Sequence, residues 1–220
     1  APLPGTAEEA EEITKRFPEF QLFTQSQATE EIVKQLESPW VLHLATHGFF
    51  FPNVCSVERP EFSDLNLRCP TVNKNTLTSI RTIENPLLRS GLALAGVNSP
   101  QAEGEDGILT ALEVSGLDLK DTEMVVLSAC ETGLGDIANG EGVYGLRRAF
   151  ALAGSKSQLI SLWQVDDIAT KDLMVNYYRL LEQGNGRSEA LHQIQLAMIK
   201  GDLRQAGDES ELGVYSHPFY

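Results

Sequence analysis

A cysteine that ends an apolar strand and opens a glycine-rich loop is a candidate nucleophile, and Cys130 has that setting. The run from Val125 to Gly142, VVLSACETGLGDIANGEG, reads as a short buried strand, Val125, Val126 and Leu127, that stops at the cysteine. A helix follows from roughly Val143 to Ala153. Backbone N–H groups at such a turn stabilise the thiolate, which is the nucleophilic form. Ser128 and Ala129 are small and leave room for a substrate. A second run, Val41 to Phe50 (VLHLATHGFF), has the same build: an apolar strand that ends at His47, then Gly48. An imidazole there can serve as general base and acid. A tetrahedral oxyanion needs two donors, which we assign to the N–H groups of Gly48 and Cys130. His47 and Cys130 are 83 positions apart (130 − 47). Two strands of one parallel sheet would still bring both side chains to the same carboxyl edge, where open α/β sheets place their chemistry. The implied reaction is peptide-bond hydrolysis by a cysteine–histidine pair.

Blander readings compete at each position. Free cysteine is commonly buried and inert, and Cys55 and Cys69, in an irregular segment, are read as incidental. A lone histidine after an apolar strand is more often structural than catalytic. His43 shares a strand face with residues 45 and 47, because the strand period is two, and is read as buried in the sheet layer. His43 and His47 as joint zinc ligands would lie about 13 Å apart on a strand, too far for one ion. The glycine loop Gly133 to Gly142 lacks the Walker lysine with its Ser or Thr, and carries Glu131, Asp136 and Glu141, so it is a poor phosphate cradle. No GxSxG elbow is present. The acidic group Glu103, Glu105 and Asp106 reads as solvated loop charge rather than a calcium site. The dyad chemistry requires no metal or organic cofactor.

The elements that must position the two residues are those of an α/β protein. With 220 residues and 42% hydrophobic content, the chain can bury one substantial core. Ala7 to Phe17 reads as a helix opened by a capping box of Thr6 and Glu9, with Glu8, Glu9, Glu11 and Glu12 as a solvated first turn. Phe20 to Phe23 suits a short strand, and Thr29 to Leu36 a helix with Ile32, Val33 and Leu36 on its buried side. Trp40 to Ala45 is the strand leading to His47. Phe49 to Asn85 is irregular. Leu87 to Leu94 suits a strand interrupted by Gly91, Ile108 to Val114 a short helix, Leu117 to Leu119 an extended piece, and Glu123 to Ser128 the strand before Cys130. Gln158 to Trp163 reads as a further strand. Asp166 or Asp167 caps a helix to about Leu181, and Ser188 caps a last helix to about Ile199, with Leu191, Ile194 and Met198 in one stripe. Strands alternating with helices predict a mostly parallel sheet covered on both faces, in one domain spanning 1–220.

Charge and composition exclude several classes. Formal net charge is −14, from 31 acidic and 17 basic residues, and no basic patch stands out. Nucleic acid is therefore a disfavoured partner. Three cysteines without regular spacing do not make a disulfide framework and suit a reducing cytoplasm. No apolar run reaches the ~18 residues of a membrane span, and no signal peptide is visible. The chain begins at Ala1 and stops at His217, Pro218, Phe219 and Tyr220, which reads as a piece excised from a longer protein.

Six blocks in order, ATHGFF, NPLLRSGLALAG, DGILTALEVSGLDL, VVLSACETGLG, NGEGVYGLRRAFALAG and SLWQVDD, resemble the CHAT domain. The resemblance spans nearly the whole chain. It implies a caspase-like and separase-like cysteine peptidase of three-layer caspase–hemoglobinase fold, bacterial, with His47 and Cys130 as dyad, and tetratricopeptide repeats N-terminal in the full-length chain. Ser161, Trp163, Gln164, Asp166 and Asp167 resemble the separase stretch lining the specificity pocket. There a substrate peptide adds as a strand, and an acidic side chain receives a basic residue before the cut. Separase has Asp where this chain has Gln164, which leaves Asp166 or Asp167 as substitutes; an N-cap role competes for either. The expected partner is a protein or peptide substrate. The alternative is a non-catalytic interaction or signalling module with the same fold.

Overall fold

A computed structural model describes residues 4–50, 86–98, 105–129, 141–161 and 165–201. The described helices are α1 (Pro4–Arg16), α2 (Glu30–Lys34), α3 (Ala111–Val114), α4 (Glu141–Ala153), α5 (Asp167–Glu182) and α6 (Arg187–Lys200). The described strands are β1 (Val41–Phe50), β2 (Ser90–Ala93), β3 (Ile108–Thr110), β4 (Met124–Ala129) and β5 (Gln158–Ile160). They fall into two compact units, 24–164 and a second formed by 2–23 with 165–220.

The first unit is built on one sheet of order β3-β2-β1-β4-β5. β1, β4 and β5 are mutually parallel, whereas β2 runs antiparallel to both β1 and β3. The sheet is therefore mixed, not mostly parallel as its strand pattern suggested. All four residues of β2 are buried, and an apolar strand buried on both faces reads the same in either direction. Gly91 does not interrupt this strand. A Cβ there would come within 2.7 Å of both the Leu109 carbonyl oxygen and Cζ of Phe49, so the glycine permits close approach of its neighbours.

One sheet face carries Leu42 and Leu44 of β1, Leu92 of β2, Leu109 of β3, and Val125 and Leu127 of β4. Val33 of α2, Val114 of α3 and Leu146 and Phe150 of α4 pack in the same core. Each fully buried aliphatic or aromatic side chain contributes about 1.5–3 kcal/mol relative to exposure. The β4-α4-β5 passage is a crossover between parallel strands, which is why the apolar stripe of α4 meets this face.

The stretch 108–114 is not one helix. It is β3 followed at once by α3, with Thr110 serving both as the last strand residue and as N-cap. Its hydroxyl accepts from Glu113 N, and the Glu113 carboxylate accepts from Thr110 N at 2.8 Å, a complete capping box. Leu117–Leu119 forms no strand; Asp118 makes an isolated bridge to Glu37. Gly107, just before β3, has φ of +77° and donates its N–H to the buried Glu30 carboxylate at 3.1 Å.

The second unit contains α1, α5 and α6. α1 begins at Pro4, a residue whose fixed φ suits the first helical position. Thr6 is thus inside the helix, and its hydroxyl faces Asp167 at 3.4 Å instead of capping. Glu9 is buried, not part of a solvated turn. No strand forms over 20–23; Phe20 stacks on Phe17 at 5.1 Å between centroids, and both rings meet Tyr178 edge-on. α6 starts after Gly186 rather than at Ser188 and ends on the left-handed Gly201. Its buried stripe is Ala190, Ile194 and Met198, with Leu191 only half-buried.

Candidate active site

In the described residues β1 pairs with β4 on one side and with β2 on the other. From Val41 to Thr46 it pairs with β4, each residue meeting the one 83 positions later (41 with 124, 46 with 129). From His47 to Phe50 it pairs with β2, beginning with His47 opposite Ala93. The strand therefore continues three residues beyond His47 instead of ending there, because β2 supplies a partner where the described β4 pairing stops. In the sheet order, the strand that follows β1 lies on one side and the strand that follows β4 lies on the other. The carboxyl ends of β1 and β4 thus flank a topological switch point, the usual place for a site in an open α/β sheet.

His47 is half-buried at this point, and Gly48, opposite Leu92, is buried. Strand alternation puts His47 on the face of His43 and Ala45; His43 is half-buried, less enclosed than its sequence setting suggested. β4 is described through Ala129, the partner of Thr46, and Cys130 is the next residue of the chain, outside the described residues. Trp163 and Gln164 also lie outside them. Ser161 follows the last residue of β5 and is half-buried.

Asp166 and Asp167 are both engaged in the second unit. Asp166 is the N-cap of α5, accepting from Ala169 N at 2.9 Å. Asp167 accepts from Gly5 N at 2.7 Å, and so ties α5 to the start of α1. A Cβ at position 5 would come within 2.7 Å of that carboxylate, so the glycine is what lets the contact form.

A charge cluster that sequence reading missed joins three elements of the first unit. Lys34 Nζ lies 2.6 Å from Glu30, 2.8 Å from Glu105 and 2.9 Å from Glu113. Burial pushes the Glu113 carboxyl up, but hydrogen bonds from Thr110 and Lys34 outweigh it and hold the group at about 2. Burial is the leading influence at Glu30 and leaves its carboxyl above the ordinary range. Burial would lower the Lys34 ammonium, yet its three carboxylate bonds raise it. The pattern Thr110-Ala111-Leu112-Glu113 was the visible signal for part of this cluster, since S/T-x-x-E marks a helix start.

The family model for the CHAT domain matches residues 1–220. The chain belongs to the CHAT domain family. CHAT is a caspase-like family whose members are generally cysteine-peptidase-like, and this chain's mixed α/β sheet is the architecture described above. No curated protein and no solved structure matches the chain. Among the described residues of the CHAT domain, no helix is long and apolar enough to cross a membrane.

Proposed function

We propose that this CHAT domain is a cysteine endopeptidase in which His47 and Cys130 act as the dyad. The observation that supports the reading is the parallel register. Thr46 and Ala129 are paired, and the residues that follow them in the chain are the histidine and the cysteine. Adjacent strands run about 4.8 Å apart, so a continued register brings imidazole and thiol within reach of one reacting carbonyl.

In this reading the Cys130 thiolate attacks the scissile carbonyl carbon. The C–S bond forms, and the N–H groups of Gly48 and Cys130 hold the oxyanion. Collapse breaks the C–N bond, and the His47 imidazolium gives its proton to the leaving amine. His47 then takes a proton from water, whose oxygen attacks the thioester and releases Cys130. The chemistry needs a reduced thiol, which favours the cytoplasm.

Ser161, Trp163, Gln164, Asp166 and Asp167 are proposed to receive the substrate, with a basic residue before the cut. The bonds of Asp166 and Asp167 leave carboxylate lone pairs for a guanidinium or ammonium. Tetratricopeptide repeats N-terminal to the domain would recruit the protein substrate. A peptide library that varies the residue before the cut tests both levels. Cleavage after Arg or Lys, lost in Cys130→Ala and in His47→Ala, is expected. Cleavage that persists in Cys130→Ala defeats the dyad. Cleavage indifferent to that residue's charge defeats the pocket assignment alone.

A further inference from the structure

We infer that Thr46 is a positioning residue for His47, acting through β2; this rests on the dyad reading above. His47 is the residue at which the described β1–β4 pairing, which reaches Thr46, gives way to the β1–β2 pairing. Two side-chain devices flank it. On the N-terminal side, the Thr46 hydroxyl donates to the Ala93 carbonyl oxygen, which belongs to the residue paired with His47. Thr46 is itself the last β1 residue in the described pairing with β4, so its backbone and side chain join all three strands. On the C-terminal side, the Phe49 ring lies against Gly91, where a Cβ would come within 2.7 Å of Cζ. Phe49 is buried, and Gly91 is its cross-strand partner.

The physical consequence is a fixed histidine-bearing segment. A general base must stay within hydrogen-bond reach of the proton it moves. Displacement by about 1 Å is enough to cost on the order of 100-fold in rate. A β-branched residue with a hydroxyl meets both needs at position 46. Its branching suits the strand, and its hydroxyl reaches the Ala93 carbonyl oxygen on β2. Valine keeps the shape and loses the bond.

The test uses the whole domain with 13Cε1-labelled histidine, the His47 imidazole resonance being assigned by its disappearance in His47→Gln. Thr46→Val is expected to shift or broaden that resonance and to leave the resonance of the remote His192 unchanged. Thr46→Ser is expected to restore it. Peptide turnover should show kcat down on the order of tenfold to 100-fold, with KM within about twofold, because the lost bond serves the reacting base and not substrate binding. If Thr46→Val does not fold, Thr46→Ala, matching the small neighbour Ala45, carries the same readout. A His47 resonance that is unchanged in a folded variant lacking the hydroxyl overturns the inference. Turnover that survives Cys130→Ala overturns the peptidase reading instead, and the imidazole signal then still decides the role of Thr46.

Discussion

One of the three carboxylates around Lys34, that of Glu113, gives this domain a built-in acid sensitivity at the level of single residues. Glu113 is held at about 2 against its ordinary value of 4.5. A depressed carboxyl contributes stability that is present above 4.5 and is lost as pH falls toward about 2. Glu30, raised by burial, has the opposite sign: its contribution is present at low pH and fades as pH rises through its folded value. Urea midpoints measured from pH 5 to pH 2 should fall in the wild type and fall less in Glu113→Gln. An equal fall in both would assign the acid loss elsewhere. Since the Glu113 side chain is 34% exposed, solvent screens part of this effect. Lys34→Met should cost about 2 kcal/mol, short of a fully buried pair, as it leaves Glu30 at 1% exposure without its cation. Asp166→Ala should cost about 1 kcal/mol through the lost N-cap of α5. Equilibrium unfolding measures both.

The elements repeat one lesson about which sequence signals travel. Caps were legible only in part: Asp166 accepts the N–H bond expected of it before α5, whereas Thr6 lies inside α1, α6 starts after Gly186 rather than at Ser188, and Thr29, read as the first residue of a helix, is the N-cap of α2. The run 108–114 was misread because Ile108, Leu109, Ala111 and Val114 fit a helical stripe. Thr110 and Glu113 marked the true boundary, and Gly107 marked the turn before it. Gly107→Ala should destabilise by about 1–3 kcal/mol, because an L side chain is strained at φ of +77° and would strike the Val97 backbone. Thr110→Ala should cost about 1 kcal/mol. Thermal unfolding of both variants checks the order: a Gly107→Ala loss smaller than that of Thr110→Ala would contradict this account of the turn.

At the scale of the whole molecule the net charge of −14 sets how partners arrive. A field of that sign speeds the approach of cationic peptides and slows anionic ones. Raising ionic strength from 0.01 to 0.1 M shortens the Debye length from about 30 to about 10 Å. kcat/KM for a basic peptide should therefore drop with salt while kcat holds. A salt-independent kcat/KM would show that charge plays no part in encounter.

Residue types and their order determined the family, the strand bearing His47 and the strand that precedes Cys130, and most helix positions, because caps, breakers and apolar runs act over a few residues. The polarity of β2, the continuation of β1 past His47, the Thr46 bond to Ala93 and the Lys34 cluster were decided only by tertiary structure. Each depends on which distant strand or helix lies alongside, and a local pattern of apolar and polar residues is blind to the identity and direction of its neighbour.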